Sequence, residues 1–195
     1  RDREVVISKE QLTPEGESEP LKVAHFSFTQ DQQKVLLFTN TKKVWRLNTK
    51  GDYWVFDFET NELRQLGETL PESSLMFAKF SPDGKKVAYV SENNLYSETI
   101  ATGAIKPLTT NGTESLINGT FDWAYEEEFA CRDGFRWSPD SKSIAYWQID
   151  ASDIRNFYMI NNTDSIYSQI IPVEYPKVGE TPSACRVGVV GLSDT

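Results

Sequence analysis

Histidine is almost missing from this 195-residue chain, which has one, together with only two cysteines and two methionines. No apolar run approaches the roughly 20 residues needed to span a bilayer, and the start, Arg1-Asp2-Arg3-Glu4, has no apolar leader segment. Two cysteines make no disulfide framework, and no Cys/His spacing suits zinc. Cys131 and Cys185 fall far apart in the chain and read as small buried hydrophobes with free thiols. Lys and Arg nowhere form a dense patch, and 20 basic against 29 acidic residues leave a formal charge of −9. That balance argues against nucleic acid and anionic membrane surfaces, and weakly favours cationic partners. A Gly-x-Ser-x-Gly elbow is also missing, and the lone His25 precedes every candidate triad partner. A serine-hydrolase triad is therefore excluded within these residues. His25, beside Phe26, reads as an ordinary surface or core side chain.

What the chain has is aromatic side chains, 12% of the total, enough to build a real core, and a pattern that occurs three times. Phe28-Thr29-Gln30-Asp31-Gln32-Gln33-Lys34-Val35-Leu36 aligns with Phe80-Ser81-Pro82-Asp83-Gly84-Lys85-Lys86-Val87-Ala88 and with Trp137-Ser138-Pro139-Asp140-Ser141-Lys142-Ser143-Ile144-Ala145. Each copy reads as an aromatic strand end, a tight turn and an apolar strand, which is a hairpin. Two further short strands follow the first copy (Tyr53–Phe58 and Leu63–Leu66) and the second (Asn94–Ser97 and Ala104–Leu108). Four short antiparallel strands in a period of about 50 residues is the mark of a β-propeller blade. The expected fold is all-β, an incomplete propeller of about three four-stranded blades plus the start of the next, with no long helix and with Glu127 and Glu128 on a short helical or turn segment. The expected division is a blade-like repeat at 21–66, another at 75–110, an insertion at 111–131, and the third repeat with the start of the next at 132–195. Phe26, Phe28, Val55, Phe58, Phe80, Val87 and Tyr89 are expected in blade cores. Three blades cannot close a ring, since propellers typically have about four to eight, so the pattern predicts a portion of a longer protein.

The 111–131 insertion carries Asp122-Trp123-Ala124-Tyr125-Glu126-Glu127-Glu128-Phe129, three consecutive carboxylates between large apolar side chains. Neighbouring carboxylates repel one another and resist desolvation, so an apolar setting suits them only if a cation comes between them. A primary ammonium, with three N–H donors, satisfies such a cluster well. A solvated loop is the plain alternative. A divalent cation is a third reading, although it would want more oxygen ligands than this segment offers. Residues added to a repeat scaffold fall on one face of the array and commonly form its binding surface.

Trp123-Ala124-Tyr125-Glu126-Glu127-Glu128, Arg132-Asp133-Gly134-Phe135-Arg136-Trp137-Ser138-Pro139-Asp140 and Tyr175-Pro176-Lys177-Val178-Gly179 together resemble the N-terminal propeller of the dipeptidyl peptidase IV family in its bacterial form. The resemblance extends upstream through Phe38–Arg46 and Gly51–Val55, and so covers almost the whole chain. Ala124 departs from the commoner Val, Thr181-Pro182-Ser183-Ala184 departs from Thr-Asn-Pro-Ala, and Gln30 and Gln32 stand where Pro and Gly are usual.

The family consists of serine exopeptidases that remove N-terminal dipeptides, preferring proline or alanine at the second position. The resemblance implies that Glu127 and Glu128 hold the free ammonium of the peptide, and that Arg46 binds the carbonyl oxygen of its first residue. It implies no catalytic residue, metal or cofactor in these residues, and peptides with a free N-terminus as substrates. It also implies a C-terminal α/β-hydrolase domain in the same chain, an extracytoplasmic location, and room for a homodimer of the full-length protein. A stand-alone propeller serving as an interaction scaffold remains the rival from a different class. For Arg46 the rival role is as one of the edge charges Lys42, Lys43, Arg46 and Lys50 that keep an exposed strand from aggregating.

Overall fold

The repeated turns close on a polar cycle that recurs in all three copies. Thr29 Oγ1 donates to Asp31 Oδ1, Ser81 Oγ to Asp83 Oδ1 and Ser138 Oγ to Asp140 Oδ1, each at 2.6 Å. The same hydroxyls accept the backbone N–H of Lys34, Lys86 and Ser143 at 3.0, 2.9 and 2.9 Å. The aspartates in turn accept the N–H of Gln33, Lys85 and Lys142. Two backbone donors of each reversal are thereby satisfied. The fourth turn residue sits at positive φ in each copy, +58° at Gln32, +68° at Gly84 and +61° at Ser141. The hydroxyl and carboxylate thus impose the geometry even where the tolerant glycine is replaced.

The computed structural model describes residues 4–192. Around the first turn lie β1 (His25–Phe28), β2 (Lys34–Val44), β3 (Leu47–Asp57) and β4 (Glu62–Gln65). Around the second lie β5 (Leu75–Phe80), β6 (Lys86–Ser91), β7 (Asn94–Thr99) and β8 (Ile105–Pro107). All pairings are antiparallel, and Lys50↔Met76 with Gly51↔Leu75 join β3 to β5, so the eight strands form one sheet. The third unit comprises β9 (Leu116–Asn118), β10 (Phe135–Trp137), β11 (Ser143–Asp150) and β14 (Ala184–Gly191), with β9 and β14 both pairing β11. The intervening β12 (Asn156–Asn161) and β13 (Gln169–Glu174) form a separate two-stranded hairpin. This is the incomplete, antiparallel all-β propeller arrangement the repeats imply.

Period-2 alternation explains how the units stack. Leu36 faces a core shared with Tyr53, Val55, Leu75, Val87 and Tyr89, while its neighbours Val35 and Leu37 join Phe56 on the other side. In β6, Val87 and Tyr89 face back to the first unit, and Ala88 and Val90 face Phe135 and Ile144 of the third. The central strands are therefore buried on both faces. The pattern is interrupted where β2 and β3 run on past register irregularities between Thr39 and Lys43, which carry the hairpin tip Trp45-Arg46 outward.

A short helix forms at the glutamates, α1 (Trp123–Phe129), because Asp122 caps it and aromatic side chains pin it. Two expectations need correction. Phe26 and Phe28 are 58% and 42% exposed, since β1 pairs only with β2 and lies at a sheet edge among the described residues. Cys131 and Cys185 are free, but half-buried and exposed rather than core residues.

Candidate functional site

Helix α1 is built from its cap inward. Asp122, in extended conformation, accepts the N–H of Tyr125 on Oδ1 at 3.0 Å, satisfying one of the donors a helix start leaves free. At the other end Ala130 turns left-handed at φ +56°, and the Cys131 N–H returns to Tyr125 O at 3.0 Å. The aromatic residues of the motif seat the helix. Trp123 packs on Tyr175 at 4.2 Å, and Tyr125 lies between Phe121 and Phe129 at 5.9 and 5.8 Å. Tyr125 also meets the Cys185 thiol, and burial raises the pKa of both groups.

The three glutamates then have different fates. Glu126 is buried, 3% exposed, with Arg132 Nε 3.5 Å from its Oε1. Burial pushes its carboxyl pKa up, opposed by Arg132 and reinforced by the neighbouring Glu127. The Glu127 side chain is only 6% exposed, with Oε2 against the Nε of Arg46. Its other oxygen, Oε1, is buried without a hydrogen-bond partner. Glu128 is exposed.

Arg46 comes from the protruding β2–β3 tip, with Trp45 before it at φ +52° and Leu47 beginning β3. Its side chain is 81% exposed. The structure thus brings Arg46 and Glu127 into contact and leaves Glu128 exposed to solvent. Sequence reasoning missed the Glu126–Arg132 pair. Its signal was an arginine six positions after a glutamate, across a helix end that is itself hard to foresee. Among the described residues no group of three or more His, Cys, Asp or Glu side chains is arranged to hold a metal ion. No helix of the described residues is long and apolar enough to cross a membrane.

A short capped helix bearing adjacent carboxylates, met by an arginine from a propeller hairpin, can be compared with known proteins. Residues 29–195 match the family described as the dipeptidyl peptidase IV (DPP IV) N-terminal region. The chain belongs to that family. It is 30% identical over 179 residues to dipeptidyl aminopeptidase B of Saccharomyces cerevisiae, covering 89% of this chain and 21% of that protein. It is 32% identical over 161 residues to a probable dipeptidyl-aminopeptidase B of Arthroderma otae, covering 76% and 18%. The crystal structure of Porphyromonas gingivalis dipeptidyl peptidase 4 superposes with a TM-score of 0.83 at 28% identity, over 94% of this chain and 26% of that one. The chain therefore spans about a fifth of the length of the curated relatives it matches. As a dipeptidyl peptidase IV N-terminal region, it presents α1 and the β2–β3 tip together.

Proposed function

We propose that the chain is the substrate-selecting part of a dipeptidyl peptidase in which Glu127 and Glu128 receive the α-ammonium of a peptide. The observation that carries this reading is the Glu127 carboxylate, almost wholly buried, with one oxygen on Arg46 and the other unpartnered. A buried acceptor without a donor is costly, and an arriving ammonium supplies up to three donors. Glu128 shares that charge from the exposed side, and Arg46 donates to the first carbonyl oxygen of the peptide. A carboxylate pair held at a set distance from the scissile bond counts residues from the chain end, because only a terminal ammonium satisfies it. Blocked or internal peptide segments bring no such charge.

Bond cleavage belongs to an α/β-hydrolase domain of the same polypeptide, supplying the serine nucleophile, its base and the oxyanion donors. The substrates are peptides with proline or alanine second, and the setting is extracytoplasmic. The test is turnover of a Gly-Pro amide by the full-length protein carrying Glu127→Gln or Glu128→Gln. Losing one member of a desolvated charge pair costs about 2–5 kcal/mol, or roughly 30- to several-thousand-fold in kcat/KM. An N-acetylated substrate should gain nothing from either glutamate. Wild-type turnover by both variants would leave the glutamates as a structural or interaction surface, as in a scaffold propeller.

A further inference from the structure

We propose that Arg132 is a positioning residue for this site: by holding the buried Glu126 carboxylate it sets the direction in which α1 presents Glu127. The inference rests on the ammonium-binding reading above. Helix α1 has seven residues, barely two turns, and so short a helix has no stability of its own. Its rotation about its axis is decided by what it touches. Asp122 fixes where it starts, and Trp123 against Tyr175 fixes one side. Tyr125, between Phe121 and Phe129 and against the Cys185 thiol, fixes another, and the charged anchor is Glu126, which follows Trp123 by three positions and lies on the same side of the helix. Consecutive residues project about 100° apart around an α-helix. Glu126 therefore points inward while Glu127 turns toward Arg46, and rolling the helix to release one carries the other away.

Glu126 has reason to leave. Its carboxylate is 3% exposed and adjacent to the charge on Glu127. Of the charged groups near it, Arg132 is the cation that opposes this, with its Nε 3.5 Å from Oε1, an electrostatic contact in which neither atom makes a hydrogen bond. Arg132 can reach back because Ala130 reverses the chain at φ +56°, and its Nη1 donates to Ala130 O at 3.4 Å, bracing the same turn. Arg46 is engaged elsewhere, on Glu127. Without Arg132 the Glu126 carboxylate would lie buried with no cation in contact with it.

The full-length peptidase with Arg132→Gln, Arg132→Lys, and Arg132→Gln combined with Glu126→Gln separates positioning from mere support. KM and kcat for a Gly-Pro amide are read together with the thermal midpoint, and Glu127→Gln is run alongside. Arg132→Gln should raise KM roughly tenfold, within the range usual for coupled contacts, and leave kcat nearly unchanged, as expected when binding rather than chemistry suffers. Arg132→Lys should lie between that variant and wild type, and the double variant should recover most of the loss. A wild-type KM in Arg132→Gln overturns the proposal. So does a parallel fall of kcat and thermal midpoint that lysine does not rescue. Should Arg132→Gln fail to fold, Arg132→Lys decides: a raised KM at unchanged kcat supports positioning, and a wild-type KM overturns it. If Glu127→Gln collapses turnover while Arg132→Gln is silent, only this inference falls. If Glu127→Gln turns over normally, the ammonium reading itself has failed.

Discussion

The Arg46 guanidinium, 81% exposed at the tip of the β2–β3 hairpin, rests against a Glu127 carboxylate that is only 6% exposed. One partner of the pair is thus in solvent and the other is nearly dry. Screening keeps the contribution of such a contact to folding small, because the exposed partner remains hydrated. On the proposed reading, its value lies in placing a donor group where the peptide's first carbonyl oxygen can reach it.

Arg46→Ala should accordingly leave the unfolding free energy within about 1 kcal/mol of wild type, while raising KM for a dipeptide amide in the full-length protein. Arg46→Lys keeps a charge but not the planar fork, and should recover only part of the affinity. Equal losses of stability and affinity in Arg46→Ala would make Arg46 a structural edge charge.

The turns yield a second prediction. Gln32 is exposed and holds φ +58°, in a copy of the turn where the second repeat has Gly84. Left-handed conformations cost non-glycine residues about 1 kcal/mol or more, partly offset by the extra freedom glycine has when unfolded. Gln32→Gly should stabilise by about 0.5 kcal/mol. Gly84→Ala should destabilise, because it puts a Cβ on a residue held at φ +68°. Chemical denaturation of the two variants checks both signs. Ser141 is a poorer place for the same exchange, since its hydroxyl accepts the Asp83 N–H at 3.0 Å and ties two turns together.

These turns are legible in the sequence because hydroxyl, aspartate and reversal all lie within five residues of one another. The apolar strands β2 and β6 are legible for the same reason, since Val35-Leu36-Leu37-Phe38 and Val87-Ala88-Tyr89-Val90 are unbroken apolar runs right after the turns. Helix α1 is legible only as a short helical or turn segment, because seven residues hold too few apolar positions to separate a helical period from a turn, and the cap at Asp122 is a weak sign alone. Phe26 and Phe28 look like core side chains in any local window, but their exposure depends on what pairs with β1 on its free edge. The contact of Arg46 with Glu127 follows from the hairpin outrunning its neighbours, which irregular register between Thr39 and Lys43 produces and composition does not announce. The pairing of β14 with β11 across the β12–β13 hairpin is equally a matter of long-range packing.

A third prediction concerns the seam between the first two units. Glu98 on β7 is buried and accepts the Gly67 N–H at 2.9 Å and the Tyr89 hydroxyl at 3.0 Å on Oε2, and Arg64 Nη2 at 3.3 Å on Oε1. Burial raises its pKa against the pull of those donors. Glu98→Ala would leave two buried neutral donors and part of a guanidinium unpaired, costing about 3 kcal/mol or more. Glu98→Gln keeps an acceptor for Gly67 and Tyr89 and should cost less than half as much. Equal losses would mean that packing, rather than the hydrogen bonds, makes the seam.

The last prediction is a pH dependence set by Lys79. Its ammonium lies 3.7 Å above the centre of the Phe135 ring, pairs with Asp133, and donates to Phe135 O at 3.1 Å, beside a cavity of about 500 Å3 lined by Phe26, Phe38, Tyr53 and Phe77. Burial pulls its pKa down from 10.5 to about 8, even though Asp133 pulls the other way. Between about 8 and 10.5 the unfolded chain keeps a proton that the folded chain has released, and stability rises with pH wherever the unfolded state binds more protons. Below 8 both states are charged and the full penalty of burying the ammonium applies; across the window that penalty is progressively relieved. Lys79→Met has no proton to release, and Asp133 keeps Arg136 at 2.9 Å as a partner. Thermal midpoints measured at pH 7.5 and 9.5 should therefore show wild type gaining on the variant as pH rises. A constant difference between the two proteins would place the Lys79 pKa in the ordinary lysine range, with its ammonium hydrated rather than buried against Phe135.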